Sequence, residues 1–125
     1  MIRTGIDIIE NERIARALDR FGARFLNRIY TPAEQQQVGL NIKALAARFA
    51  AKEAVSKMLG TGIGPVSWRD MEILDGAMGA PELRLHGRAR CWAEAVGLQD
   101  WSVSMSHIDA YSVAMAAGTG NGQGG

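Results

Sequence analysis

Two carboxylates stand in segments whose neighbours are apolar. Asp7 lies among isoleucines in "GIDII", and Glu53 lies in "RFAAKEAVSK", on the stripe that Ile42, Leu45, Ala46 and Phe49 trace at helical spacing. That stripe predicts a core-facing Glu53. A carboxylate withdrawn from water takes up a proton unless a cation, a set of hydrogen-bond donors or a metal ion stands beside it. Two of them on buried elements suit a hard divalent cation, because Mg²⁺ typically takes one or two carboxylates and completes its octahedron with water and phosphate oxygens. Structural readings compete. Lys57 follows Glu53 by four residues in the favourable order for a helical ion pair, and Asp7 is placed to cap the next helix or to pair with an arginine.

Other residues point to an anionic ligand. Arg48 and Lys52 sit one helical turn apart and repel each other unless an anion lies between them, each has its own acid, or both are solvated. "GTGIG", from Gly60, offers backbone N–H groups beside Lys57 of the kind that cradle phosphates, although the same residues also make a helix stop. It follows a predicted helix, so it is not a dinucleotide fingerprint, and no "GxxxxGK[ST]" is present. In "SVSMSH", Ser102, Ser104 and Ser106 share one strand face, opposite Val103, Met105 and His107. Neighbouring strand residues point apart and no G-x-S-x-G elbow occurs, so Ser106 and His107 suit phosphate donation better than a hydrolase pair. His86 has no ligand spacing. Arg13, Arg16, Arg20, Arg24 and Arg28, at helical spacing, form a basic ridge suited to an acidic partner, or else a solvated face. Phe21 and Phe25 fall off that ridge, so a protein partner fits better than nucleic acid.

The elements that must hold these groups are legible in outline. A chain of 125 residues fits one domain able to bury roughly two-thirds of its unfolded surface. With 47% hydrophobic and 22% charged residues and a net charge of +1, it is neither disordered nor a bulk polyanion binder, so any electrostatic message is local. The single cysteine, Cys91, excludes an internal disulfide framework and a cysteine-based zinc cluster, and nothing in the sequence reads as a membrane span or signal peptide. The chain reads as cytoplasmic. A strand around Ile6–Ile8, bounded by Gly5, precedes a helix capped by Asn11 and broken at Gly22. "TPAE" starts a short helix with Thr31 as cap, Pro32 first and Glu34 reaching back. The long helix runs from Ile42 to Leu59, closed by Gly60 and Pro65. A hairpin pairs Met71 and Ile73 with Leu83 and Leu85, a helix ends at Gly97, and "WSVSMSH" pairs with "YSVAMAA". The fold class is α+β, a small single domain whose mainly antiparallel sheet packs on the long helix, spanning 1–117, with a Gly-rich flexible tail at 118–125.

"GIDII", "RFAAKEAVSKMLGTGIG", "DGAMGAPEL" and "SVSMSH", in this order and at these separations, closely resemble the holo-(acyl-carrier-protein) synthases, the small trimeric phosphopantetheinyl transferases. The likeness reaches about Ala117, and "FAAKEA" with "GTGI" is its most specific part. It implies transfer of 4′-phosphopantetheine from coenzyme A to a serine of apo acyl carrier protein, with Mg²⁺ required and adenosine 3′,5′-bisphosphate released. It further implies a homotrimer with sites between neighbouring subunits and an arginine-bearing first helix that docks the carrier. Residue by residue, it makes Asp7 and Glu53 the metal ligands and catalytic carboxylates. Lys52, Lys57, Gly60, Thr61, Gly62, Ser106 and His107 become the holders of coenzyme A, joined by Arg48 from the paired-cation reading. Two rivals remain at this stage: a non-catalytic module for an acidic protein, and another Mg²⁺-dependent phosphoryl transferase.

Overall fold

The computed structural model describes residues 1–121. Its elements run β1 (Ile2–Glu10), α1 (Asn11–Phe21), α2 (Ala23–Ile29), α3 (Pro32–Val38), α4 (Ile42–Leu59), a 3₁₀ turn (Trp68–Asp70), β2 (Met71–Asp75), β3 (Pro81–Leu85), α5 (Gly87–Ala95), β4 (Leu98–His107) and β5 (Tyr111–Gly120). Two antiparallel sheets form: β5 lies between β1 and β4, and β2 pairs with β3 as a separate hairpin. The expected α+β class holds. The sheet divides because Met71, Ile73, Leu83 and Leu85 bury their own face in the core.

Helix α4 is the axis of the molecule. Asn41 caps it by accepting from the Ala44 amide at 3.1 Å, and Gly60 ends it at φ +83°, a left-handed cap that glycine adopts without a Cβ penalty. Its alanines, including Ala46, Ala50, Ala51 and Ala54, are buried, so flanking layers approach its backbone on more than one side. The three-stranded sheet covers one side with Ile9, Val103, Ala114 and Ala116, and Met71 and Ile73 of the hairpin join the same core.

One buried polar knot fastens α3, α4 and β2. The Lys52 ammonium donates to Glu34 Oε1 at 2.8 Å and to the carbonyls of Trp68 at 3.0 Å and Met71 at 2.7 Å. Both side chains are 0% exposed. Glu34 also accepts from the Thr31 amide at 2.9 Å, as the expected capping box requires, and from the Ile73 amide at 2.9 Å. Burial pushes the Lys52 pKa down, and Glu34 opposes that shift.

Two boundaries differ from the sequence expectation. Glu10 rather than Asn11 is the cap position of α1, because the Asn11 side chain is engaged elsewhere: its amide donates to the carbonyls of Ile108 and Asp109, and its oxygen accepts from Ser112. Strand β5 runs through Gly120, past the tail boundary placed at 118, since Gly118 and Gly120 fit against Leu98 and Gly97 where a Cβ would collide. The rest of the Gly-rich tail lies outside the described residues. Strand β1 turns Ile2, Ile6 and Ile8 outward, 77%, 63% and 63% exposed, and packs its Gly5, Asp7 and Ile9 side towards α4.

The knot makes a stability prediction. Lys52→Met strands the Glu34 carboxylate in the core and lowers the unfolding free energy by about 3–5 kcal/mol. The Lys52→Met/Glu34→Gln pair, with no charge left behind, loses less. Urea unfolding curves measure both, and a larger loss in the double variant would contradict the assignment.

Candidate active site

Strand β1 and helix α4 bring the two odd carboxylates to one seam. Asp7 points to the helix side of its strand, and the Lys57 ammonium bridges the elements, donating to Asp7 Oδ1 at 3.2 Å and to the Ile6 carbonyl at 2.9 Å. Lys57 therefore pairs across the seam with Asp7, and the ion pairs among the described residues do not include one between Lys57 and Glu53. Glu53 feels both neighbours. Partial burial raises its pKa, the Asp7 charge beside it adds to the rise, and Lys57 and Arg13 oppose it.

The expectation of a core-facing Glu53 is corrected. The buried sides of α4 are lined by alanines, which read weakly as apolar, and the ridge Phe49, Glu53, Lys57 is less enclosed. Glu53 is half-buried at the edge of the seam, where solvent and a ligand can reach it. Among the described residues no three or more His, Cys, Asp and Glu side chains gather as a metal group. A cation here would take two carboxylates from this chain and its other oxygens from water and substrate, a donor set that would suit Mg²⁺. The residues fit such an ion: hard oxygen donors, partly open, with a mutual repulsion that a cation removes.

The predicted ligand-holding residues divide. Lys52 has three donors, all consumed inside the protein, so it has none for a phosphate. Arg48 is buried too, donating through Nε to the Ile73 carbonyl at 3.3 Å and standing 3.1 Å from Asp75. Each cation of that pair thus has its own acid. In the loop from Gly60 to Gly62, expected as a phosphate cradle, the amides of Gly60, Thr61 and Gly62 all donate back to the last carbonyls of α4. They close the negative end of the helix dipole, which disfavours an anion. Lys57 is different: it is half-exposed, and one of its three donors remains for a ligand.

Ser106 and His107 lie at the far edge of the sheet. Asp7 pairs with Ala114 and Ala114 with Met105, so β5 separates β1 from β4 by two strand spacings, roughly 10 Å. Ser106, His107, Ile8 and Tyr111 border a cavity of about 220 Å³ on the outer face. One chain does not bring His107 to the carboxylates.

The basic ridge is real but bent. The helix breaks at Gly22, φ +54°, so Arg13, Arg16 and Arg20 stand on α1 while Arg24 and Arg28 stand on α2, all exposed. The aromatics expected to fall off the ridge instead join it. Arg20 lies 5.1 Å over the Phe21 ring, and Phe21, Phe25, Arg24, Arg28 and Trp68 line a groove of about 410 Å³. Trp68 in turn stacks on Phe49 at 4.6 Å, one helical turn from Glu53. Sequence periodicity missed this groove because Trp68 arrives from a segment far along the chain.

Comparison with known proteins places the arrangement. The profile of the 4′-phosphopantetheinyl transferase superfamily matches residues 3–116. A holo-(acyl-carrier-protein) synthase of Herpetosiphon aurantiacus is 42% identical over 96% of this chain and 100% of its own length. That of Solidesulfovibrio magneticus is 51% identical over 86% and 89%. Among solved structures, the Neisseria meningitidis synthase superposes with a TM-score of 0.86 at 40% identity over 95% and 99% of the two chains. A Helicobacter pylori synthase in complex with coenzyme A gives 0.84 at 32% identity, over 95% and 100%. The chain belongs to the 4′-phosphopantetheinyl transferase superfamily and, within it, to the holo-(acyl-carrier-protein) synthases. It is an enzyme of phosphopantetheinyl transfer, which removes the non-catalytic module from consideration.

Glu53 yields a prediction with a definite sign. Its folded pKa lies above the ordinary glutamate value that the unfolded chain keeps. Between the two values the folded state holds a proton that the unfolded state has released, so stability falls as pH rises through that interval and the penalty is complete above the folded value. Without divalent cations, Glu53→Gln therefore melts above the unaltered protein at pH 7, and the gap closes below the ordinary carboxylate range. Calorimetric scans across pH measure it; an equal or lower melting temperature at pH 7 would contradict it.

Proposed function

We propose that this chain transfers 4′-phosphopantetheine from coenzyme A to a serine of apo acyl carrier protein, releasing adenosine 3′,5′-bisphosphate, with Mg²⁺ held by Asp7 and Glu53. The observation that carries the proposal is the meeting of those carboxylates at the β1–α4 seam, with the Lys57 ammonium alongside. Bound there, Mg²⁺ supplies Lewis-acid stabilisation of the charge that develops on the donor's diphosphate.

The chain's own groups do the remaining work. Lys57 directs its free donor at a phosphate oxygen of coenzyme A. The carrier serine is held in line with the phosphorus, and its hydroxyl proton passes to Glu53. His107 and Ser106 donate to the phosphates of the leaving adenosine bisphosphate. They reach the site from a neighbouring copy, because within one chain β5 intervenes. The exposed sheet face of Ile2, Ile6, Ile8 and Met115 supports such an assembly, which we assign as a homotrimer with each site between subunits.

The acidic carrier docks on Arg13, Arg16, Arg20, Arg24 and Arg28. The groove beneath Arg24 and Arg28 leads through Trp68 and Phe49 towards Glu53, which supports delivery of the serine to that carboxylate. Arg48, Lys52 and the Gly60–Gly62 loop serve the framework rather than the ligand. No described helix is long and apolar enough to cross a membrane, and both substrates suit a cytoplasmic enzyme.

The test is direct. Apo carrier incubated with the chain, coenzyme A and Mg²⁺ gains the mass of one phosphopantetheine, ATP in place of coenzyme A gives none, and Glu53→Gln abolishes the gain while the trimer persists. An inactive Glu53→Gln chain mixed with an inactive His107→Ala chain, after subunit exchange, recovers about a quarter of the unaltered rate. Turnover by Glu53→Gln alone would overturn the metal assignment, and no recovery on mixing would overturn the shared site.

A further inference from the structure

Gly5 stands two residues before Asp7, on the same side of β1, and it is the point where the strand touches α4. A Cβ built there would come within 2.9 Å of the Met58 amide nitrogen and still closer to the Ala54 carbonyl, both of them backbone. Those atoms belong to the helix itself, next to Glu53, so no side chain can turn away to make room. The backbone of Gly5 is not in the left-handed region, so an alanine could adopt its conformation; what excludes a side chain is space. Glycine inside a strand weakens it and often marks such a close backbone approach.

The contacts on either side of Gly5 are fastened. Arg3 donates to the carbonyls of Met58 at 2.7 Å and Leu59 at 3.1 Å, and Lys57 returns from the helix to the Ile6 carbonyl and Asp7. The strand is clamped to the helix before and after Gly5, and the missing Cβ lets the clamp close fully.

We propose that Gly5 is a positioning residue, whose lack of a side chain sets the separation of the Asp7 and Glu53 carboxylates so that a single divalent cation can be held by both. The inference rests on the cation reading of those two residues. An alanine at position 5 must lift the strand from the helix by an offset on the order of 1 Å to reach ordinary van der Waals contact. An aspartate cannot make up that offset. A glutamate at position 7, one methylene longer, can.

The experiment measures Mg²⁺ binding by calorimetry, the Mg²⁺ dependence of transfer, and thermal unfolding, on the full chain and its Gly5→Ala, Asp7→Glu, Gly5→Ala/Asp7→Glu and Glu53→Gln variants. Gly5→Ala is expected to bind Mg²⁺ about 10- to 100-fold more weakly and to need correspondingly more Mg²⁺ for half-maximal turnover. Asp7→Glu alone, on an unaltered seam, overshoots and also binds more weakly. The double variant binds Mg²⁺ more tightly than Gly5→Ala, although it melts no higher. A purely structural role for Gly5 would give no such rescue. Wild-type Mg²⁺ affinity in Gly5→Ala, or a double variant that binds no tighter than Gly5→Ala, would overturn the inference; should Gly5→Ala not fold, undiminished binding by Asp7→Glu alone would do so. A native chain that binds Mg²⁺ no better than Glu53→Gln would instead bring down the cation reading itself.

Discussion

Strand β1 rests on the backbone of α4 with no side chain between Gly5 and the Ala54–Met58 turn, and the geometry of the site follows from that contact. Asp7 comes from the strand and Glu53 from the helix, so the separation of the two main chains limits how closely their carboxylates can approach. Such a seam is stiff, because packed backbones have no rotamers to lose or change. It also has a cost. Two carboxylates share a partly dry edge, and the pKa of Glu53 rises because burial and Asp7 both disfavour its charge. A site that strains in the absence of a cation is one that gains when a cation arrives.

The buried knot of Lys52 and Glu34 serves the same end from the opposite side of the helix. It ties α4 to α3 and to the first residue of β2, fixing the rotation of α4 about its axis and hence the direction of Glu53, the next residue. Lys52 thereby belongs to the frame, while the adjacent Glu53 stays at the half-open seam. The Gly60–Gly62 turn belongs to the frame as well, its amides spent on the last carbonyls of the helix.

Local signals in the sequence located most elements. Gly60 and Pro65 closed α4, Thr31 and Glu34 marked the start of α3, and alternating Met71, Ile73, Leu83 and Leu85 gave the hairpin, because each of these depends on residues within a few positions of one another. The pairing of Asp7 with Glu53 was legible as two misplaced acids and as a likeness to known synthases. What failed depended on distant partners. Glu34 lies 18 residues from Lys52 and Trp68 a further 16 beyond it, so neither the burial of Lys52 nor the aromatic groove could be read from spacing. The side of Glu53 was misjudged because a helix buried through alanines leaves only a faint apolar stripe. Gly5 read as the edge of a strand, although it sits in the middle of β1.

The joint grip of Asp7 and Glu53 on one cation is tested most directly by a coupling cycle. Mn²⁺ binding followed by paramagnetic resonance is compared for the unaltered chain, Asp7→Asn, Glu53→Gln and the double variant. If both acids hold the same ion, either single change removes most of the affinity and the double removes little more. Losses that simply add, or a single variant that binds as tightly as the unaltered chain, would contradict the account.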